Sequence, residues 1–542
     1  MTPKELKALL DELKSARSTW HSHWQDIRDY IMPYRQSFTS SISDGAKAME
    51  KLVDGTAAYA LVRMAQGLRG LYTSEALPWF RLGLEDEDLE DSWEVKGWLE
   101  EVEKKFYAAY AKSNFYSQLT ECYLDIGGFG TAGLWAEENA EQRGKLHFRA
   151  LPLNQCYYAV DHQDRVNLMA RVMRLTARQI QGWWPNNLGK KVGRAVEQNK
   201  WLEQFEVVHF IYPRMKRDAR SAHKRNMPWA SVYFQPDDLH IFDEGGFQEF
   251  PAAVARAQVM EGETYGRGAG VLALPDTKML NRMEEDILRA GAKRIDPPLL
   301  LTNDALLSPL SFRPAGITIL NAASTEDKIA PLPLGGDLGY GDNKADQKRY
   351  AIKQIFFNDL FETVAAPGET ATAALKRIQK QLQMIGSLLS QIETELINPV
   401  FDRTFSLLWR AGEIPPPPPA LMGQPIKIDY ISPLAKAQRS AEAEGIMAVT
   451  EYAMAVARVK PEAADIVDFS EALRTLADIY GLKTKIVRSP EAVAEIREMR
   501  QQQEQQAQAA AMAVEGAKAL PGLGKQIEPG SPLQLLAGGI EG

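Results

Sequence analysis

Apolar residues recur at alternating intervals of three and four in one stretch of the C-terminal half, at Leu375, Ile378, Leu382, Ile385, Leu389, Ile392 and Leu396. On an α-helix this spacing returns every side chain to one narrow stripe. Asn398-Pro399 follows, and an internal proline removes one backbone hydrogen bond and kinks a helix. Because apolar residues continue beyond it to Gly412, the pattern predicts one long, bent helix. Taken alone, such a stripe is typical of a helix that packs in a core and has no other role.

Shorter stripes with helical spacing predict further helices over residues 4–31, 47–73, 275–294 and 343–361. Another helix is predicted to begin at a capping box formed by Asp91 and Glu94, and three more helical segments are predicted within residues 435–518. Between residues 131 and 260 the period changes to two, which predicts a β-rich subdomain with a short helix near residues 177–184. Prolines and glycines in residues 299–339 predict a small β-containing knob between two helices of matched length, and residues 426–431 read as a strand. The predicted fold class is mixed α+β, predominantly α-helical.

The composition is that of an ordinary globular protein. The 542 residues are 45% hydrophobic and 25% charged, which is enough for three or four structural units. A net charge of −8 counts against a general nucleic-acid coat, which would need a positive excess. Two cysteines are too few for a disulfide framework and fit a reducing compartment. No run approaches the ~18 apolar residues of a membrane span, and the N-terminus predicts an amphipathic helix rather than a signal peptide.

A search for catalytic and ligand-binding motifs identifies none. Gly266-Arg267-Gly268-Ala269-Gly270 lacks the spacing of a dinucleotide-binding loop, and no ATPase phosphate-binding loop is present. The histidines form no zinc-binding pattern, and neither cysteine lies in a nucleophile motif. We therefore predict no enzyme activity, no catalytic residues, no cofactor and no metal site, which favours a structural or binding role.

Two charged features each allow two interpretations. Six of the seven residues 85–91 are carboxylates, which could bind a divalent cation, but no calcium-loop pattern follows. A simpler role is electrostatic, at the positive end of the next helix. The basic segments 190–200 and 214–225 are either solvated loops or a docking patch for an acidic partner.

The order helix, knob, matched helix, loop, long kinked helix and helical C-terminus coincides with several local motifs. One motif comprises Glu263-x-Tyr265-Gly266-Arg267-Gly268-x-Gly270, Ala273-Leu274-Pro275-Asp276 and Lys278-x-Leu280-Asn281. Three more stretches are Trp20 to Pro33, Ala366 to Pro415, and Ser432-Pro433-Leu434-Ala435 with Ala437-Gln438. Together these features resemble the head-to-tail connector (portal) family of short-tailed, T7-like bacteriophages. The resemblance covers nearly the whole sequence up to residue 519.

The resemblance implies the viral portal fold, with wing, stem, clip and crown. Its segments would be a wing at 1–270, stem helix 1 at 271–294, the clip at 295–339, stem helix 2 at 340–361, the tunnel loop at 362–371, a long kinked wing helix and returning strand at 372–434, a helical crown at 435–519 and a disordered tail at 520–542. It also implies a ring, usually of 12 copies, at one capsid vertex of the virion, assembled in the host cytoplasm.

The implied partners are the double-stranded DNA that passes through the channel, the terminase large subunit, the tail adaptor protein, and the capsid and scaffolding proteins; no membrane is expected. Two alternatives remain open. One is a DNA-packaging enzyme subunit, against which the missing motifs count, and the other is a different capsid or scaffolding component.

Within this resemblance, the candidate cations of the DNA channel are Lys344, Lys348, Arg349 and Lys353, which otherwise form the solvated face of a helix. With a net charge of −8 the contact with DNA is expected to be weak and independent of sequence. The tunnel loop comprises Glu362, Thr363, Val364, Ala365, Ala366, Pro367, Gly368 and Glu369. Its proline and glycine predict a loop, either an ordinary surface turn or a collar that projects into the channel.

Overall fold

The computed structural model describes residues 1–40, 45, 49–86, 89, 92–139, 145–218, 220–221, 223–295, 299–300, 330–331, 338–361, 385–421, 423–431, 433–460, 462, 466–479, 488 and 490–518. The protein folds as two compact units, residues 1–448 and residues 449–542. None of the described helices combines the length and the apolar composition that a membrane crossing requires.

The helices of the first unit are α1 (Pro3–Ala16), α2 (Ser18–Tyr30), α3 (Thr56–Leu71), α4 (Trp93–Lys112), α5 (Phe115–Gly128), α6 (Ala177–Trp183), α7 (Lys190–Glu197), α8 (Ala269–Ile295), α9 (Leu338–Ile355), α10 (Asn358–Phe361), α11 (Asn398–Ala411) and the beginning of α12 (Pro433–Ala457). The second unit contains the end of α12, then α13 (Phe469–Ile479) and α14 (Pro490–Lys518). These last three helices match the three predicted helical segments.

The strands are β1 (Phe80–Leu84), β2 (Thr131–Glu138), β3 (Leu146–Leu151), β4 (Cys156–Val160), β5 (Val166–Thr176), β6 (Gln204–Pro213), β7 (Trp229–Gln235), β8 (His240–Phe247), β9 (Ala252–Arg256), β10 (Leu299–Leu300), β11 (Ala330–Pro331) and β12 (Ile426–Tyr430). Strands β4 to β8 form a five-stranded antiparallel meander, and β3, β2 and β9 form a three-stranded sheet. The β-rich subdomain predicted from the alternating pattern is confirmed.

Aromatic packing joins distant parts of the first unit. Strand β1 pairs with β12 along its whole length, with Phe80 opposite Tyr430. Phe106 of α4 stacks on Phe401 of α11 with a centroid distance of 4.1 Å, and Phe80 meets Phe401 edge to face at 5.8 Å. The predicted returning strand is therefore confirmed, and it holds the C-terminal part of the long helix against the N-terminal helices.

The long helix is confirmed where the structure describes it, from residue 385 to residue 411; its predicted first part lies outside the described residues. Ile385, Leu389, Ile392 and Leu396 are all buried, as the heptad stripe requires. The helix passes through a π-turn, Glu393–Ile397, directly before Pro399. It ends at Gly412, whose φ of 75° is the left-handed conformation that commonly closes a helix.

Two N-terminal predictions are wrong in detail. The helix expected over residues 4–31 is divided at Arg17, because the guanidinium of this residue is turned into the fold. It donates to the carbonyls of Leu153 at 2.8 Å and Asn154 at 3.0 Å, and it lies 3.6 Å from the ring centroid of Tyr157. The helix expected over residues 47–73 begins only at Thr56.

Two other local predictions also need correction. The basic segment 190–200 contains α7 rather than only a loop, and its Val192 and Ala195 are buried against the sheet. Ser92, not Asp91, is the N-cap residue of α4, and its side chain makes no capping hydrogen bond. Most of the acidic run, Asp91 included, lies outside the described residues.

The two helices predicted on either side of the knob are confirmed with altered ends. The first, α8, begins at Ala269 rather than 271, and Pro275 lies inside it rather than at its start. The second, α9, ends at Ile355, and the backbone passes through Phe357 with a φ of 55° before α10. Of the knob between them, the structure describes only the short antiparallel pair β10 and β11.

Candidate channel helices and their anchorage

Helices α8 and α9 lie side by side. Gly341 faces Ile287, whereas Lys348 reaches back to Asp276, so the two helices run antiparallel. Leu280, Ala345 and Ile352 are fully buried. Because residue 345 is an alanine and residue 341 is a glycine, the two helices approach closely and pack as a pair.

The first turn of α8 rests on the backbone of residues 126–130. A Cβ atom on Gly268 would lie 2.7 Å from the carbonyl oxygen of Gly127 and 2.8 Å from the nitrogen of Gly130. Gly130 itself has a φ of 92°, a conformation that favours glycine. Its carbonyl accepts the amide of Ala257 at 2.8 Å. The glycines at this junction are therefore explained by close backbone packing.

The side chains of the same motif are interlocked. Arg267 donates to the Glu263 carboxylate through Nε at 3.1 Å, and its guanidinium lies 4.9 Å from the ring centroid of Trp20. The Tyr265 ring meets Trp24 edge to face at 5.1 Å. The motif thus connects α2 to the start of α8.

Asn281 anchors the middle of α8 to the segment before α3. Its side-chain oxygen accepts the amides of Val53 at 2.7 Å and Asp54 at 3.0 Å. Its amide nitrogen donates to the carbonyl of Thr277 at 2.9 Å, which fixes the orientation of the side chain. Asn281 is 5% exposed, so these hydrogen bonds form away from water, where an unpaired amide would be costly.

Two of the four predicted channel cations are held in ion pairs within the protomer. Lys348 lies 2.7 Å from Asp276. Arg349 donates to Asp54 at 2.9 Å and also contacts Glu284 and Asp346. Their charges are therefore largely compensated by carboxylates of neighbouring elements.

The other two cations are exposed. The Nζ of Lys344 donates to the side chain of Gln347 at 3.2 Å and lies 5.8 Å from the ring centroid of Tyr340. Lys353 lies on the exposed surface near the end of α9. The residues predicted to form a tunnel loop, 362–369, lie outside the described residues. Within the described part of the protein, no group of three or more His, Cys, Asp or Glu side chains is placed to hold a metal ion.

Sequence reasoning missed the anchoring residues. Asn281 and Lys278 belong to the motif of residues 263–281, but their partners Asp54 and Asp26 are more than two hundred positions away in the sequence. Lys278 reaches Asp26 at 2.6 Å and also lies 5.5 Å from the ring centroid of Tyr30. Asn281 is a polar residue on the apolar side of a predicted helix. Since a buried asparagine needs hydrogen-bond partners, this position could have indicated a contact with another element.

Replacing Asp54 with asparagine should lower the melting temperature at neutral pH. The melting temperature of the variant should also fall less on acidification than that of the wild-type protein. Burial alone would raise the pKa of Asp54 above its ordinary 3.8, but hydrogen bonds from Thr56 and Arg349 hold it below that value. The ionised group therefore stabilises the fold above about pH 4, and this stabilisation is lost as the pH falls through the lowered pKa. We expect a loss of about 1 to 3 kcal/mol at pH 7 and a smaller loss at pH 2. Thermal melts at pH 7, 4 and 2 measure this, and an equal loss at all three would contradict it.

Nearly the whole sequence is similar to known bacteriophage proteins. The family model for a bacteriophage head to tail connecting protein matches residues 3–487. The probable portal protein of Bordetella phage BPP-1 is 31% identical over 531 residues, which cover 96% of this chain and 95% of that protein. The portal protein of Salmonella phage epsilon15 is 31% identical over 533 residues, with the same shares covered. The chain therefore belongs to the bacteriophage head to tail connecting protein family and acts as a head-tail connector.

Proposed function

We propose that copies of this protein close into a ring of 12 that forms a channel for double-stranded DNA at one capsid vertex. The ring docks the terminase large subunit while the genome is packaged and the tail adaptor protein afterwards. It is assembled in the host cytoplasm with capsid and scaffolding proteins and remains in the virion. Its role is structural. The observation that carries this proposal is the exposure of apolar side chains on opposite sides of α8.

Leu272 and Met279 are exposed on one side of α8, and Leu288 and Ile295 are exposed on another. At 3.6 residues per turn, Met279 lies about 20° from Leu272 around the helix, whereas Leu288 lies about 180° from Met279. Helix α9 covers a third direction through Ile287. One helix with apolar residues on two opposed sides suits contact with two neighbouring copies, which is the head-to-tail contact that a closed ring requires.

The double variant Met279→Glu, Leu288→Glu should fail to form rings. A carboxylate on each side of α8 would have to be buried without a partner against a neighbouring copy. Light scattering should give a mass many times 60.5 kDa for the wild-type protein and a mass near that value for the variant. Leu202→Glu is the control, because Leu202 is 80% exposed and lies away from α8. A wild-type protein that stays monomeric over a wide concentration range would overturn the ring, whereas a spread of ring sizes would not.

The DNA contact in this proposal is electrostatic and blind to sequence. Lys344 and Lys353 are the exposed members of the four candidate cations, and the carboxylate pairing of Lys348 and Arg349 weakens their attraction for phosphates. Since each phosphate contact adds to affinity and to its salt dependence, few free cations give weak, salt-sensitive binding. Weak binding suits a conduit, because tight binding would hold moving DNA in place.

We assign the tunnel loop, residues 362–371, a role in holding packaged DNA. Its side chains are mostly small, and Glu362 and Glu369 would repel phosphates, so the loop would act as an adjustable collar rather than a grip. Replacing Val364 to Gly368 with a shorter Gly-Ser linker should leave ring assembly intact, because the stem and heptad stripes are unchanged. Packaged DNA should then be lost, or packaging should stall. Ring assembly is measured by light scattering and DNA retention by nuclease protection; normal packaging and retention would remove the loop from the mechanism.

A further inference from the structure

A pocket of about 510 Å³ opens between the five-stranded meander and the three-stranded sheet. We call it the wing pocket, and its walls include Trp135, Arg149, Arg171, Trp183, Trp184 and Tyr233. Strand β5 contributes alternate residues, Met169, Arg171 and Met173, as the two-residue period of a strand dictates. The volume is in the range of small-ligand sites and can hold one or two amino-acid side chains.

The guanidinium groups of Arg149 and Arg171 line this pocket. Neither has a carboxylate partner in the described part of the protein. Arg171 donates to the amide oxygen of Gln155 through Nε at 3.3 Å and Nη2 at 3.2 Å. Burial and the neighbouring positive charge of Arg149 lower the pKa of Arg171. The positive charge of Arg149 therefore disfavours the charge of Arg171, and an anion bound beside both guanidinium groups would relieve this repulsion.

The one carboxylate of the pocket is already engaged. Glu137 accepts the indole N–H of Trp135 at 2.8 Å and contacts Nδ1 of His147 at 3.2 Å. His209 forms part of the floor and is neutral, because burial and Arg171 lower its pKa to about 3. The pocket therefore carries an excess of one positive charge.

Flat aromatic surfaces form the remaining wall. Tyr233 stacks on His209 with a centroid distance of 3.9 Å, and Trp184 stacks on Phe242 at 4.9 Å. These contacts hold both rings rigidly in place. Trp183 lies at the mouth of the pocket and is 53% exposed, which is unusual for so large an apolar side chain. Rigid Trp and Tyr rings beside Arg are the side chains that dominate binding energy in protein interfaces.

We propose that the wing pocket binds an acidic segment of a partner protein, with a carboxylate between Arg149 and Arg171 and an adjacent aromatic side chain against Trp183 and Tyr233. Charge complementarity supports a carboxylate, and the aromatic wall supports a flat apolar neighbour. A nucleic acid fits less well, because two adjacent cations beside Glu137 make no track along a phosphate backbone. The carboxylate can belong to an acidic side chain or to the C-terminus of the partner.

Fluorescently labelled peptides distinguish these sources in anisotropy titrations of the full-length protein. The probes are acetyl-Ser-Glu-Phe-Glu-Ser-amide, its Gln-for-Glu counterpart, and acetyl-Ser-Gln-Phe with a free C-terminal carboxylate. A labelled ten-nucleotide dT strand tests the nucleic-acid alternative. At least one carboxylate peptide should bind about tenfold more tightly than the Gln-for-Glu peptide, and the two carboxylate probes show which source fits better.

Arg149→Gln and Trp183→Ala should each weaken binding of the preferred peptide about tenfold. Both side chains are at least partly exposed, so the variants should fold, and an unchanged melting temperature checks this. Arg174→Gln is the matched control, because Arg174 is an exposed arginine on the opposite face of β5 and should leave binding unchanged. Equal binding of all three peptides, no binding at about 1 mM, or tight dT binding that depends on the same two residues would each overturn the proposal.

Discussion

Replacing Gly268 with alanine should strongly destabilise the native structure. The new methyl group would overlap the carbonyl oxygens of Ile126 and Gly127 and the nitrogen of Gly130. All of these are backbone atoms, so no side chain can rotate away, and either α8 or the end of α5 must move. We expect a loss of at least about 3 kcal/mol, seen as low soluble yield and a lower urea midpoint.

Gly97→Ala is the matched control for this prediction. Gly97 lies inside α4, and apart from its chain neighbours and the backbone of its own helical turns, no atom of the described structure comes within 4 Å of the position where its Cβ would be. Alanine is preferred over glycine in a helix interior by about 1 kcal/mol, so this variant should be as stable as the wild type or slightly more stable. Equal stability of the two variants would show that the junction of α5 and α8 tolerates expansion.

Much of the fold could be predicted because the hydrophobic period is a local property. The heptad stripe, the alternating strands of residues 131–260 and the three C-terminal helices depend on neighbouring residues, and the structure confirms them where it describes them. The glycine motif was visible as well. The reason for these glycines could not be predicted, because the backbone that packs against them belongs to residues 126–130, more than a hundred positions away in the sequence.

Element boundaries failed where a tertiary contact overrides the local pattern. The N-terminal apolar stripe gives no sign that Arg17 interrupts it, because the carbonyls that bind its guanidinium belong to residues 153–156, just before and at the start of β4. Likewise, Pro275 reads as a helix start. It lies instead inside α8, because the turn before it is held by the close packing of its glycines against the backbone of residues 126–130.

The candidate site was only partly readable from sequence. Four cations on one predicted helix are equally compatible with a solvated face and with a channel wall. The distinction between Lys344 and Lys348 depends on whether a carboxylate lies opposite, and Asp276 belongs to a different helix. Asn281 and Asp54, which anchor the pair of helices, belong to no charge pattern.

Replacing Arg256 with methionine should also be strongly destabilising. Arg256 is 5% exposed at the end of β9, and its Nη2 lies 2.6 Å from Oε1 of Glu395. The backbone amide of Arg256 donates to Oε2 of the same carboxylate at 2.8 Å. Glu395 lies in the π-turn, so this ion pair connects the long helix to the three-stranded sheet at the point where Arg256 pairs with Thr131. Removing the Arg256 side chain leaves the largely buried carboxylate of Glu395 with one backbone donor. We expect the free energy of unfolding, measured in urea, to fall by about 3 kcal/mol.

Two further variants decide whether this cost arises from the ion pair. Arg282→Met removes an arginine that is 64% exposed and contacts Asp286 at 3.2 Å, and exposed pairs of this kind contribute less than about 1 kcal/mol. Adding Glu395→Met to Arg256→Met removes the stranded carboxylate and should recover part of the stability, since two apolar residues can replace a buried pair. If the double variant recovers nothing, the loss arises instead from the hydrogen bond that Arg256 donates to the carbonyl of Asp164 at 2.6 Å. If Arg256→Met costs no more than Arg282→Met, the π-turn is not anchored by this pair.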